Sequence, residues 1–123
     1  MMECRRGDIY FVDFGRDTES NLQCGIRPAL VVSNNRANEN SPVITVIPLT
    51  ARTYKRPHLP THVLIPKTSG TGLTRNSMAL AEQVSTLDKS CLLEKRGSVT
   101  DLRVMAAVTK ALQIQIGAVE RYN

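Results

Sequence analysis

The sequence predicts a mainly β fold with a C-terminal helix: a small, mostly antiparallel β-barrel or curled sheet that the helix closes. Three observations carry this expectation. Short apolar segments with strand-like composition recur from Asp8 to Val99. Polar stretches rich in Asn, Ser, Gly and Pro separate them, as turns require. From Thr100 onward the apolar residues recur at three and four positions instead of alternating.

Each element follows from its residues. Asp8 to Phe14 alternates and is rich in Ile, Tyr, Phe and Val, which marks a strand. Ala29 to Val32 is a short apolar run, consistent with a strand buried on both faces. Val43 to Leu49 is another, with Pro42 before it and Pro48 near its end. His62 to Ile65 lies between Pro60 and Pro66, Ser77 to Leu87 reads as a long strand that bends partway, and Gly97 to Val99 as a last short one. Gly15 to Gly25, Ser33 to Ser41, Thr50 to Pro60 and Lys67 to Asn76 read as loops. Loops this long in a compact domain usually bind something. Thr100 suits an N-cap, with Asp101 in the first turn beside the helix dipole. Met105, Val108, Leu112, Ile116 and Val119 then form one apolar face. Gly117 either ends the helix or permits close packing.

The 123 residues fit one domain, 1–123, long enough to bury a core without disulfides or structural metal. Aromatics are only 4% and Trp is absent, so the core must rest on Val, Ile and Leu. Lys and Arg total 16 against 11 Asp and Glu, a net charge of +5, in the direction expected of a chain that meets polyanions. Cys4, Cys24 and Cys91 are odd in number and widely spaced, which argues against a disulfide framework and a zinc site and for reduced thiols. The opening Met-Met-Glu-Cys-Arg-Arg has no apolar signal-peptide core, and no apolar run is long enough to span a membrane. The expectation is a soluble cytoplasmic protein.

Most motif-like strings have ordinary readings. Arg6-Gly7-Asp8 spells an integrin tripeptide but precedes a strand, and reads as the turn into it. Gly70-Thr71-Gly72 lacks a following Gly-Lys-Ser/Thr, so it is a flexible loop rather than a phosphate loop. His58 and His62 flank a Pro-rich turn, but no Cys, Asp or Glu stands beside them at metal-ligand spacing. There is no carboxylate cluster for two-metal chemistry. Two other positions differ. Arg27 precedes Pro28, which drives it toward extended backbone at the mouth of a strand. Thr50 stands where the strand Val43 to Leu49 meets a basic loop. If the two strands are neighbours, a guanidinium fork and a hydroxyl meet at one sheet edge, an arrangement that suits a phosphate. A surface salt bridge and a strand-end threonine are the alternative reading of the same pair.

Several segments together resemble the MazF/PemK family of toxin endoribonucleases. They are Arg5-Arg6-Gly7-Asp8-Ile9-Tyr10, Gly25-Ile26-Arg27-Pro28-Ala29-Leu30-Val31-Val32-Ser33-Asn34, Pro48-Leu49-Thr50 and Pro60-Thr61-His62-Val63. Ser77 through Glu82-Gln83-Val84 and Thr86-Leu87-Asp88-Lys89 complete the set. The resemblance runs in order from about Arg5 to about Val119. It implies an SH3-like (CcdB/MazF/PemK-like) β-barrel with a C-terminal helix, working as a homodimer without a cofactor. It implies metal-independent cleavage of single-stranded RNA at short sequences, and a cognate MazE-like antitoxin that blocks the RNA groove and binds DNA together with the toxin. The family's catalytic Arg and Thr fall on Arg27 and Thr50. Many members read Glu-Gln-Gly-Gly where this chain has Leu22-Gln23-Cys24-Gly25, so Gln23 matches while Leu22 and Cys24 depart.

With RNA as substrate, Arg16, Arg52, Lys55, Arg56 and Arg75 stand in the predicted loops as candidate phosphate contacts. Gln23, Ser77 and Gln83 are candidate readers of base edges. The alternatives are a CcdB-like toxin that poisons DNA gyrase without nuclease activity, and a catalytically silent SH3-like binding module.

Overall fold

The computed structural model describes residues 3–16, 19, 21–53 and 59–120. Seven strands form one sheet: β1 Asp8–Asp13, β2 Ile26–Val31, β3 Val43–Thr50, β4 His62–Ile65, β5 Ser77–Leu80, β6 Ser85–Asp88 and β7 Leu92–Ser98. Their order is β4-β5-β3-β2-β1-β7, with β6 also paired to β3, and every pairing is antiparallel. The mainly β class with a C-terminal helix holds. The sheet is curled rather than closed, because β4 and β7 end the path without pairing to each other.

The bend expected in Ser77 to Leu87 is a 3-10 turn at Ala81–Gln83 between β5 and β6. The last strand is longer than expected, starting at Leu92 rather than Gly97. Its Glu94-Lys95-Arg96 run hides it from an apolar search, and two register shifts against β1 break its alternation. The Asn-rich segment expected as loop contains a short helix, α1 Asn35–Asn40. The Asn34 side chain accepts from Ala37 N–H at 2.8 Å, which is the N-cap role that asparagine favours. Asn38 is buried and holds Ser33 C=O at 2.8 Å. Arg6-Gly7-Asp8 is a turn, closed by Asp8 N–H to Arg5 C=O at 3.0 Å.

Helix α2 Leu102–Gln115 is capped by Asp101, whose carboxylate accepts from Arg103 N–H at 2.9 Å, one residue later than the expected Thr100. Its buried face is Val108, Ala111 and Ile114, with Val104, Met105 and Leu112 packed along it. The expected stripe drifts off this face at its end: Ile116 is 73% exposed. Gly117, at φ 77°, stops the helix there. Its N–H reaches Ile114 C=O at 3.1 Å and Ala118 N–H reaches Gln113 C=O at 2.8 Å, a Schellman termination that satisfies the last carbonyls.

The central strands are buried on both faces, as their continuous apolar runs require. Ile9, Leu30, Ile47 and Leu49 pack with Val108 and Ala111 of α2. Tyr10, Val12, Ala29, Val31, Ile44 and Val46 form a second cluster with Cys4 and Leu92. Cys4, Cys24 and Cys91 are all free thiols. No described helix is long and apolar enough to cross a membrane.

Candidate functional site

The register of β2 on β3 decides what Arg27 and Thr50 do. Val31 pairs with Val46, Leu30 with Ile47 and Ala29 with Pro48. Continuing that register by two residues sets Arg27 across from Thr50. The ladder itself stops at Ala29 and Pro48. Pro28 and Pro48 each remove a backbone donor at this end, and β3 turns to pair Leu49 with Ala79 and Thr50 with Met78 on β5. The two strands part, and a groove of about 300 Å³ opens between them. Arg27, Thr50, Arg75, Ser77 and Arg96 line it, with Phe11, Pro28 and Leu49 as apolar walls.

Arg27 is held before any ligand arrives. Its Nε donates to Cys24 C=O at 3.0 Å and its Nη1 to Gln23 Oε1. Gln23 is fixed in turn, since its N–H donates to Gln83 Oε1 at 2.8 Å. Of the five N–H groups of a guanidinium, the described residues engage two, one on Nε and one on Nη1. Thr50 Oγ1 accepts from Arg52 N–H at 3.2 Å, which leaves the hydroxyl proton for donation. The departure at Cys24 is harmless to this geometry, because that residue serves Arg27 through its main-chain oxygen, which any residue supplies. Leu22, in place of the acidic residue, is 62% exposed.

The remaining candidates fall into groups. Gln23 and Gln83 form the support behind Arg27. Ser77 is buried, and its hydroxyl donates to Arg75 C=O at 3.1 Å, fixing the backbone that carries Arg75 to the rim. Arg52 is exposed next to Thr50 and touches it through its main-chain N–H. Arg16 is exposed in the loop after β1 and is not among the groove's lining residues. Lys55 and Arg56, like His58, lie outside the described residues.

Sequence reasoning missed Arg96, which lies in the part of β7 before Gly97 that was not expected as strand. Its guanidinium carbon sits 5.1 Å from the centroid of the Phe11 ring, a cation–π distance. The loop Lys67 to Asn76, expected as flexible, is a packed element. Ser98 N–H donates to Gly70 C=O at 2.8 Å, and Arg96 Nη2 donates to Gly72 C=O at 3.3 Å. Gly72 lies at φ 69°, and a Cβ there would stand 2.1 Å from Arg96 O, so only glycine fits.

Glu82 fixes the 3-10 turn that presents Gln83. Its carboxylate accepts from Thr61 Oγ1 at 2.9 Å and meets His62 Nε2 at 2.8 Å. Leu59 N–H donates to His62 Nδ1 at 3.3 Å, which leaves Nε2 as the donor to Glu82. Burial pushes the Glu82 carboxyl pKa up, but hydrogen bonds from His62, its own backbone and Thr61 outweigh it and hold that pKa below the usual carboxylate range. A carboxyl with a lower folded than unfolded pKa stabilises the fold above the unfolded value and loses that contribution as pH falls through the folded one. Glu82→Gln is therefore expected to be less stable than wild type near neutrality, with the gap closing on acidification. Denaturant midpoints measured across the acid range check this, and a gap that stays constant with pH refutes it.

A larger depression of about 730 Å³ lies between β4 and α2, bordered by Val63, Leu64, Val104 and Ile114 with Arg103 and Lys110 at its rim. It is bigger but brings no guanidinium and hydroxyl together, so chemistry selects the smaller groove. Among the described residues, no group of three or more His, Cys, Asp or Glu is placed to hold a metal ion.

Comparison with known proteins gives the family. The family model described as PemK-like, MazF-like toxin of type II toxin-antitoxin system matches residues 5–116. The chain is 39% identical over 113 residues to endoribonuclease MazF of Staphylococcus saprophyticus, covering 92% of this chain and 91% of that protein. It is also 39% identical over 119 residues to endoribonuclease EndoA of Bacillus subtilis, covering 97% and 99%. A solved mycobacterial endoribonuclease in complex with its cognate antitoxin superposes with a TM-score of 0.75 at 28% identity, over 96% of this chain and 99% of that one.

Proposed function

This chain belongs to the PemK-like, MazF-like toxins of type II toxin–antitoxin systems, and from that premise we propose that it is a cytoplasmic endoribonuclease that cuts single-stranded RNA at the Arg27–Thr50 groove. The observation that carries the reading is the pairing itself. A pre-held guanidinium fork and a threonine hydroxyl line one groove where β2 and β3 separate. Relatives over nearly the whole chain are named endoribonucleases.

RNA brings its own nucleophile, the 2′-hydroxyl. In the proposed reaction the 2′-oxygen forms a bond to phosphorus while the bond from phosphorus to the 5′-oxygen breaks. The products are a 2′,3′-cyclic phosphate and a 5′-hydroxyl. Negative charge builds on the non-bridging oxygens, and donors fixed in advance act on it without reorganising. Arg27 supplies the N–H groups of its Nη2, which no described residue engages, and Thr50 donates one hydrogen bond that orients the same phosphate. The proton lost from the 2′-oxygen passes to water. Arg27, which stays protonated in proteins, hydrogen-bonds the departing 5′-oxygen, and that oxygen takes the proton of its new hydroxyl from water. This chemistry needs no metal, since the charge is met by side chains. Arg75 at the rim and Arg52 beside Thr50 extend the positive surface along the strand. The protein works as a homodimer, and an acidic, partly disordered MazE-like antitoxin neutralises it by folding over the same groove.

The deciding test incubates the pure protein, in chelator, with an all-ribose oligonucleotide and its 2′-deoxy-substituted counterpart. The expected result is cutting of the ribose strand only, leaving 5′-hydroxyl ends. Cutting of both strands, or a need for added metal, overturns the mechanism. An intact ribose strand together with gyrase inhibition replaces the reading with a gyrase poison.

A further inference from the structure

We infer that Arg96 is a second phosphate-binding residue, which takes the RNA backbone phosphate next to the one held by Arg27 and Thr50. The inference rests on the reading of the groove as an RNA-cutting site and adds a residue that sets how the strand lies in it.

Three features show that Arg96 is positioned for a ligand rather than left at a surface. First, it is the extra residue of a β-bulge. Tyr10 pairs with Lys95 and Ile9 with Gly97, so Arg96 has no partner across the ladder. Bulges bend a strand and re-aim a side chain, and they concentrate near active sites. Second, the side chain is steered from both sides. The Phe11 ring lies under the guanidinium at 5.1 Å, and Gly72 C=O accepts from Nη2 at 3.3 Å. Third, Glu94 takes Nη1 at 3.1 Å but is 65% exposed, so water screens that pairing and a phosphate competes with it readily. Among the described residues, two of the five N–H groups of Arg96 are engaged. Arg96 lines the same groove as Arg27 and Thr50.

The chemistry identifies the ligand. The groove of about 300 Å³ is lined by three arginines, Arg27, Arg75 and Arg96, and by no carboxylate among the described residues. A planar fork matches a phosphate better than a base edge when the Phe11 face is already covered by the cation itself.

The test needs a probe that binds and is not cut: a single-stranded oligonucleotide carrying 2′-O-methyl ribose throughout. Its Kd is measured for wild type, Arg96→Gln and Arg96→Lys over a series of KCl concentrations. Removing one charge-assisted contact is expected to weaken binding about tenfold to a hundredfold. The plot of log affinity against log salt should become shallower by about 0.7, the value of one phosphate contact on a single strand. Arg96→Lys keeps the charge and should keep the wild-type slope while losing part of the affinity. A side chain that merely braces the loop would shift Tm in both variants and leave the slope of Arg96→Gln unchanged, and that result overturns the inference.

A second arm uses the same 2′-O-methyl oligonucleotide with one neutral methylphosphonate walked around the position of the mapped cut. Wild type should lose affinity at one flanking position to which Arg96→Gln is indifferent, and identical profiles also overturn the inference. The two readings fail separately. A protein that leaves ribose RNA whole yet binds the probe with an Arg96-dependent slope loses the nuclease reading. A protein that cuts ribose RNA with a slope indifferent to Arg96 loses this inference.

Discussion

Arg27→Ala is expected to lower the rate of RNA cutting by about a hundredfold to a thousandfold, the usual consequence of removing one preorganised donor from a developing oxyanion. The fold should survive. Arg27 is half-buried near the start of β2, beyond the last β2–β3 pair, and among the described residues its side-chain hydrogen bonds reach only Cys24 and Gln23. Arg27→Lys should restore little, because a point charge replaces neither the fork nor the fixed edge. Thr50→Val removes the hydroxyl at near-constant volume and should cost less than Arg27→Ala. If both groups hold one phosphate, the double variant falls by less than the product of the two single losses. Single-turnover cleavage with saturating enzyme, beside a thermal melt of each variant, measures all of this. Wild-type cutting by Arg27→Ala would falsify the assignment. Strict multiplication of the two losses would place Arg27 and Thr50 on different steps.

The two site residues were legible in the sequence because each sits at a local event. Proline after Arg27 and a basic loop after Thr50 both mark strand ends. Their meeting was not legible, since it depends on the β2–β3 register, which is set by pairs such as Val31 with Val46 and not by anything within either strand. The same limit explains Arg96. Within Leu92–Ser98 the charged residues read as surface, and its role comes from a bulge that exists only against β1. The support behind Arg27 was legible only in part. Gln23 and Gln83 were identified as candidates, but 60 positions separate them and the hydrogen bond that joins them is a tertiary fact.

Local signals decided the other outcomes. Asn34 to Asn40 carries residues that favour turns and caps equally, so its single helical turn was hidden by composition. The apolar period of α2 continued through Val119 in the sequence, while the helix ended at Gln115, before the left-handed Gly117. Apolar content alone says nothing about where a helix stops. A glycine at the end does, and Gly117 was read as one of two possibilities. Curling without closure also follows from pairing. β4 and β7 are separated by the whole width of the sheet, and no local pattern states which edges meet.

Gly97→Ala is the substitution expected to couple stability and activity most strongly away from the reacting groups. A Cβ at position 97 would lie 2.3 Å from Gly70 O and 2.5 Å from the Thr71 carbonyl carbon. Both are main-chain atoms, so no flexible side chain gives way, and the loop Lys67 to Asn76 must lift off β7. Overpacking of this kind costs about 1–3 kcal/mol. Backbone strain adds nothing, because Gly97 is not in the left-handed region, which makes the test purely steric. The lifted loop carries Gly72 C=O away from Arg96 and moves Arg75 at the groove rim. A displacement on the order of 1 Å in a positioning element commonly costs about a hundredfold in rate. Thermal unfolding and cleavage of one ribose substrate, measured on the same preparation, should therefore both fall. Alanine at position 97 with an unchanged Tm and an unchanged rate would show that the loop does not bear on β7. A lowered Tm with undiminished cutting would show that it bears on the fold and not on the groove.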